Sequence, residues 1–140
     1  MRRELGGGYE LDDDPGRIDV DAVHAFISEE SYWAQGRPRD LVERLVRDSA
    51  RVVGLYKDGA QVGFARAASD GANIVYLADV YVLAGHRGRG LGLELAREMV
   101  ENGPLADRTW LLHTRDMHAL YAKLGFGPPS ERLMERSRPR

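Results

Sequence analysis

The chain has 140 residues, 43% hydrophobic and 30% charged, a length and balance that suit one soluble globular domain needing no metal or disulfide staple. Its 20 basic and 22 acidic residues give a net charge of −2, without the basic surplus expected of a nucleic-acid binder. Cysteine is absent, which excludes a disulfide framework, a cysteine zinc site and a cysteine nucleophile.

No apolar run approaches the ~20 residues that span a bilayer, and the start, Met1 to Gly8, lacks the apolar core of a signal peptide. A cytoplasmic protein without a membrane partner is therefore expected. No repeat or linker divides the sequence, so residues 1–140 are read as one domain. The first eight residues and the tail from Arg136 are expected to fray, with a short strand over residues 9–12. Asp19 or Asp21 is placed to cap a helix over residues 20–30, with Val20, Val23, Phe26 and Ile27 on one face. A second helix starts near Pro38, with Leu41, Leu45 and Val46 as its apolar stripe and Val42 at the edge.

From residue 50 the period changes to that of strands. Arg51 to Tyr56 and Gln61 to Ala68 are extended runs joined by Asp58-Gly59, a strong hairpin signal. Asn73 to Leu83 is apolar on both faces, as in a covered central strand. A glycine-rich turn follows, then a helix carrying Leu91, Leu95, Ala96, Met99 and Val100, stopped by Asn102-Gly103-Pro104. Thr109 to His113 predicts a strand, Met117 to Leu124 a short helix, and Arg132 to Glu135 a last strand. The class is mixed α/β, antiparallel strands leading into a crossover unit.

The sharpest feature is Arg87-Gly88-Arg89-Gly90-Leu91-Gly92, set between a strand and an amphipathic helix. Glycines at alternate positions let backbone approach a ligand, and free N–H groups at a helix start attract anions. Arg87 and Arg89 add charge-assisted donors, so the turn reads as a pyrophosphate cradle, against the alternative of a plain turn. A Walker loop needs Gly-Lys followed by Ser or Thr, which is missing here. A Rossmann fingerprint needs glycine where Leu93 stands, so neither nucleotide motif fits.

Arg87, Gly90 and Gly92 match, in register, the cofactor-binding motif of the GCN5-related N-acetyltransferase (GNAT) class. Asp79 to Leu83 resembles that family's central strand, and Leu120-Tyr121-Ala122-Lys123-Leu124-Gly125-Phe126 its late helix-to-turn motif. The likeness covers roughly residues 50–127. It implies the GNAT acyl-CoA N-acyltransferase fold, a mixed, mostly antiparallel central sheet flanked by helices. It further implies acetyl-CoA as co-substrate, no metal, a primary-amine acceptor and direct attack, with homodimers common in the family. By the same resemblance the pyrophosphate lies on residues 87–92, with Gly88 and Leu91 among them. Main-chain N–H groups of Val80, Tyr81 and Val82 hold the pantetheine and the thioester carbonyl.

Tyr121 falls on the family's tyrosine near the sulfur, as acid or thiolate stabiliser; the alternative is a core tyrosine. Asp79 interrupts an apolar strand, where carboxylates are uncommon. It reads either as the base for the incoming amine, its pKa raised by desolvation, or as an ion pair with Arg66 or Arg115 or a bulge contact. Asp116 precedes the Tyr121 helix and reads as its N-cap, or as a pantetheine contact at the place where many relatives have Asn. Tyr32 and Trp33, between the leading helices, are candidates for the acceptor wall. His113 and His118 lack a third partner for a metal. The reading that competes with an enzyme is an acyl-CoA-binding sensor or assembly domain with little or no turnover.

Overall fold

The computed structural model describes residues 1–138. Three glycines set its first feature. Gly6, Gly7 and Gly8 have φ of 86°, 62° and 84°, which closes a hairpin between β1 (Arg2–Gly6) and β2 (Tyr9–Asp12) where a frayed end was expected. β2 pairs in turn with β3 (Arg51–Lys57), so the N-terminal segment is tied into the sheet.

α1 (Val20–Glu29) is capped by Asp19, whose carboxylate accepts from the Ala22 N–H at 3.0 Å. α2 (Arg39–Asp48) buries Val42 and Val46, one turn apart, and leaves Leu41 37% exposed. Its buried stripe is thus rotated from the expected Leu41, Leu45 and Val46, because Val42 and Val46 together reach the cluster around Val23 and Phe26. β3 and β4 (Ala60–Ser69) meet in a two-residue turn in which Asp58 and Gly59 both have positive φ, 49° and 87°, as a type I′ hairpin requires.

β5 (Ile74–Val82) runs antiparallel to β4 and parallel to β6 (Thr109–Leu112), with α3 (Leu91–Glu101) in the crossover. The six strands lie in chain order, β1 to β6, and α4 (His118–Ala122) follows. The strand expected at Arg132 to Glu135 does not form. Pro128 and Pro129 bring no N–H to a ladder, and the Leu133 N–H turns back to the Ser130 carbonyl at 3.1 Å. Among the described residues no helix is long and apolar enough to cross a membrane.

Each face of the sheet has its own core. α3 lays Leu91, Leu95, Ala96 and Met99 on Val53, Leu55, Ala65 and Leu77. Burying each of the larger of these side chains contributes about 1.5–3 kcal/mol. On the other face α1 and α2 cover Val52, Phe64 and Tyr81, with Phe26 stacked on Tyr81 at 3.9 Å between ring centroids. β5 departs from the doubly covered strand that its composition suggests. Val75 and Leu77 are buried, while Tyr76, Ala78 and Val80 are only half-buried and border open clefts.

Candidate active site

Two irregularities in β5 create the site. The first is that β5 outlasts its neighbour: pairing with β6 runs only from Ile74↔Thr109 to Leu77↔Leu112, so beyond Leu77 the strand has no partner on that side. The second is a bulge. Arg66 pairs with Ala78 and Phe64 with Tyr81, so Asp79 and Val80 together oppose Ala65. Asp79 has φ of 53°, the left-handed first residue of a β-bulge that glycine would more commonly fill. The bulge shifts the side-chain alternation and brings Asp79 and Tyr81 to the α1–α2 face.

The glycine-rich turn sits beside the free end of β5. Gly88 and Gly90 have φ of 80° and 77°, and Gly90 is the N-cap of α3. The first helical bond runs from the Glu94 N–H to the Gly90 carbonyl at 3.2 Å, so the N–H groups of Leu91, Gly92 and Leu93 precede the ladder. Gly92 has no such backbone demand; a Cβ there would meet Leu120 Cδ1 at 3.6 Å, an ordinary contact. Arg87 braces the junction by donating from Nε to the Val82 carbonyl at 2.8 Å.

Two clefts open on this region. One, of about 590 Å³, runs from Arg87, Gly88, Gly90 and Gly92 along Tyr81 and Val82 to Tyr121. The other, of about 570 Å³, holds Arg37, Arg66, Tyr76 and Asp79. They share Tyr32, Trp33, Val80, Tyr121 and the segment Arg115 to Met117, and so meet where β5 leaves β6. Every candidate site residue read from the sequence lines one cleft or both, apart from Arg89, which is exposed outside them.

Comparison with known proteins gives the family and supports the fold. Residues 17–126 match the family described as the acetyltransferase (GNAT) family. The chain belongs to the GNAT acetyltransferase family. A Gibberella zeae protein named "putative acetyltransferase" is 32% identical over 141 residues, covering 85% of this chain and 79% of that protein. A Xanthomonas campestris crystal structure of a protein assigned to the same family is 39% identical, covers 94% of both chains and superposes with a TM-score of 0.87. A Deinococcus radiodurans structure at 22% identity and a TM-score of 0.73, covering 97% of this chain and 94% of its own, shares the fold.

Within this GNAT scaffold Asp79 is held differently from the expected raised carboxyl. Burial alone would push its pKa up, but the Arg66 charge and hydrogen bond, then Arg37 and Trp33, outweigh burial and hold it below the ordinary value. Oδ2 accepts from Arg66 Nε at 2.6 Å and Arg37 Nη1 at 2.8 Å, and Oδ1 accepts from Trp33 Nε1 at 2.7 Å. The ion pair with Arg66 was one of the readings open from sequence; Arg37 was missed. Its signal was slight, an arginine just past the aromatic loop and 42 residues from its partner.

Tyr121 is buried at the junction, edge-on to Phe126 with ring centroids 5.8 Å apart. Burial, with a small addition from Tyr32, pushes its phenol up to about 12. Asp116 is not the cap of α4: Met117 holds that position, and its N–H donates to the Thr114 hydroxyl at 3.0 Å. Tyr32 closes the rim, its hydroxyl accepting from the Arg115 N–H at 2.9 Å under a guanidinium 3.8 Å from the ring.

Proposed function

We propose that this GNAT protein transfers the acetyl group of acetyl-CoA to a primary amine by direct attack, with both substrates bound together. The observation that carries the reading is the meeting of two clefts at Val80 and Tyr121. Direct transfer needs one cleft for each substrate and a shared point of reaction, and the chain has no cysteine to carry an acyl group.

Acetyl-CoA supplies an activated thioester. The N–H groups of Leu91 to Leu93, with the positive end of α3 behind them, fit a pyrophosphate, and Lys123 lines the same cleft. The unpaired edge from Val80 to Val82 offers main-chain donors for the pantetheine arm and for the thioester oxygen as negative charge develops on it. Arg89 remains an outer contact in this proposal. An amine of pKa ~10 arrives protonated. Asp79, tied to two guanidiniums, is a weak base, so its role here is to hold Arg37, Arg66 and Trp33 in place. The positive charge around it favours the neutral, nucleophilic amine, whose proton leaves to water.

Tyr121 at about 12 stays protonated at neutral pH. A departing thiolate, of pKa ~8.5, is a weaker base than that phenolate, so Tyr121 stabilises it by donating a hydrogen bond while keeping its proton. Calorimetry with acetyl-CoA and a thiol-release screen across an amine panel test the proposal. Binding with amine-dependent release of CoA is expected; binding without release by any amine would instead favour a sensor or assembly role. Tyr121→Phe keeps the ring and removes the donor, so kcat is expected to fall about 10–10³-fold, at ~1.4 kcal/mol per decade, with acetyl-CoA affinity retained.

A further inference from the structure

In the wall of the cleft that holds Asp79, two guanidiniums depend on one carboxylate, while Glu135, outside that wall, faces His113 at 3.0 Å. Arg37 and Arg66 both bond a single oxygen of one carboxylate, at 2.8 and 2.6 Å, so two cations share one anion. Arg115 leaves that balance unchanged, because Asp116 stands 3.9 Å from it. A guanidinium has five N–H groups, and each of these two engages Asp79 through one nitrogen. Their other nitrogens are absent from the buried polar atoms that lack a partner among the described residues, and the two side chains keep 18% and 13% exposure. Both residues form the wall of that cleft, which is where accessible donors on them can be met. Neither residue lines the cleft of the glycine-rich turn, so this charge is not placed for the phosphates of CoA.

We infer that the acceptor is a small amine that also carries an oxyanion, a carboxylate or a phosphate, held by Arg37 and Arg66. The inference rests on the acetyl-transfer reading of the site. Arg66 stands opposite Ala78, and across the bulge Val80 lies opposite the adjacent Ala65, so the two positions are about one strand step, ~3.4 Å, apart along the sheet. An amine at Val80 and an anion at Arg66 are then a short carbon chain apart. Tyr32, Trp33 and Tyr76 supply flat walls for that chain. Guanidinium forks pair naturally with carboxylate and phosphate oxygens, whereas a polycationic amine would meet a surplus of its own sign.

Calorimetry of the full chain loaded with CoA tests this with matched probes: β-alanine against β-alaninamide, 4-aminobutyrate against its amide, and phosphoethanolamine against ethanolamine. In at least one pair the acidic member is expected to bind about tenfold or more tightly than its neutral partner, and the pair that responds identifies the oxyanion. Arg37→Gln is expected to erase that preference while acetyl-CoA affinity stays within about twofold, and Arg37→Lys to restore part of it. Equal affinities in all three pairs, or no binding of any member, would overturn the inference. Where the variant does not fold, the wild-type pairs still decide. Absence of thiol release with a bound acidic amine would count against acetyl transfer and leave the oxyanion preference intact.

Discussion

Arg51, buried, and the pair Arg37 and Arg66, half-buried, are guanidiniums on opposite faces of one sheet, and their surroundings differ in completeness. Under α3, Arg51 engages every nitrogen: Nε and Nη2 donate to Asp13 at 3.2 and 3.1 Å, Nη1 to the Glu98 carbonyl at 2.9 Å, and Nη2 also to the Glu98 carboxylate at 3.1 Å. Arg3 and the N-terminal ammonium join the cluster through Glu98 and Asp13, while Glu94, 3.8 Å from Arg3, also accepts from Arg97 at 2.8 Å. Arg3 Nη2 alone of these donors is buried without a partner among the described residues. On the other face two guanidiniums meet one carboxylate, and both line a cleft. Arg51 thus has a complete set of partners, and the cluster around it fastens the N-terminal hairpin, α3 and β3 to one another. The open cluster around Asp79 leaves binding capacity, at some cost in stability.

The largest effect should come from the Arg51 cluster. Glu98→Ala leaves Arg51 and Arg3 without their shared carboxylate in a site where Glu98 is 2% exposed. Breaking a buried pair from one side costs about 3–5 kcal/mol. Urea unfolding should show this loss, and the folded fraction should still bind acetyl-CoA normally. A loss under ~1 kcal/mol would erase the distinction between the two clusters.

Asp79→Asn ranks second. The amide oxygen still accepts, but the charge is gone, and a loss of about 1–3 kcal/mol is expected. Its pH signature identifies the source. The folded pKa of Asp79 lies below the ordinary 3.8, so its contribution is complete above that value and is lost as pH falls through the folded one. Wild type and variant should therefore differ in stability at neutral pH and converge in acid. Asp13, also held low because its partners, the N-terminal ammonium and Arg51, outweigh burial, makes both proteins acid-sensitive; only their difference reports Asp79. A gap that stays constant through the acid range would contradict the ion-pair account.

Local signals made much of the fold legible. Asp58-Gly59 announced its hairpin, the stripe of α3 its buried face, and the glycine-rich turn the helix start beside a strand end. The N-terminal hairpin was hidden because three consecutive glycines look slack in sequence, although positive φ at each is what closes the turn. The phase of α2 was hidden because Leu41, Val42, Leu45 and Val46 offer two adjacent stripes, and only packing against α1 selects one. For the site, Asp79 stood out as a carboxylate in an apolar strand, which led to a bulge and a cleft. Its ionisation state did not follow, because Arg37 and Arg66 lie 42 and 13 residues away and side-chain convergence leaves no periodic trace.

The smallest effect, Trp33→Phe, tests the open cluster most narrowly. The substitution keeps an aromatic ring near Phe26, whose centroid lies 6.3 Å from that of Trp33, and removes the N–H that donates to Asp79 Oδ1 at 2.7 Å. Trp33 is 39% exposed, so the loss of stability should be about 1 kcal/mol or less. The Asp79 carboxylate would then be held through Oδ2 alone, freer to turn and carrying Arg37 and Arg66 with it. If these groups position the acceptor, its KM should rise severalfold while the acetyl-CoA constant barely moves. A general loosening of the loop would raise both, since Trp33 borders both clefts. A double-mutant cycle separates the hydrogen bond from the lost ring volume. In an Asp79→Asn background the indole N–H no longer meets a charge, so Trp33→Phe should change the acceptor KM less than it does in the wild type. Equal changes in the two backgrounds would assign the effect to packing and detach Trp33 from the Asp79 cluster.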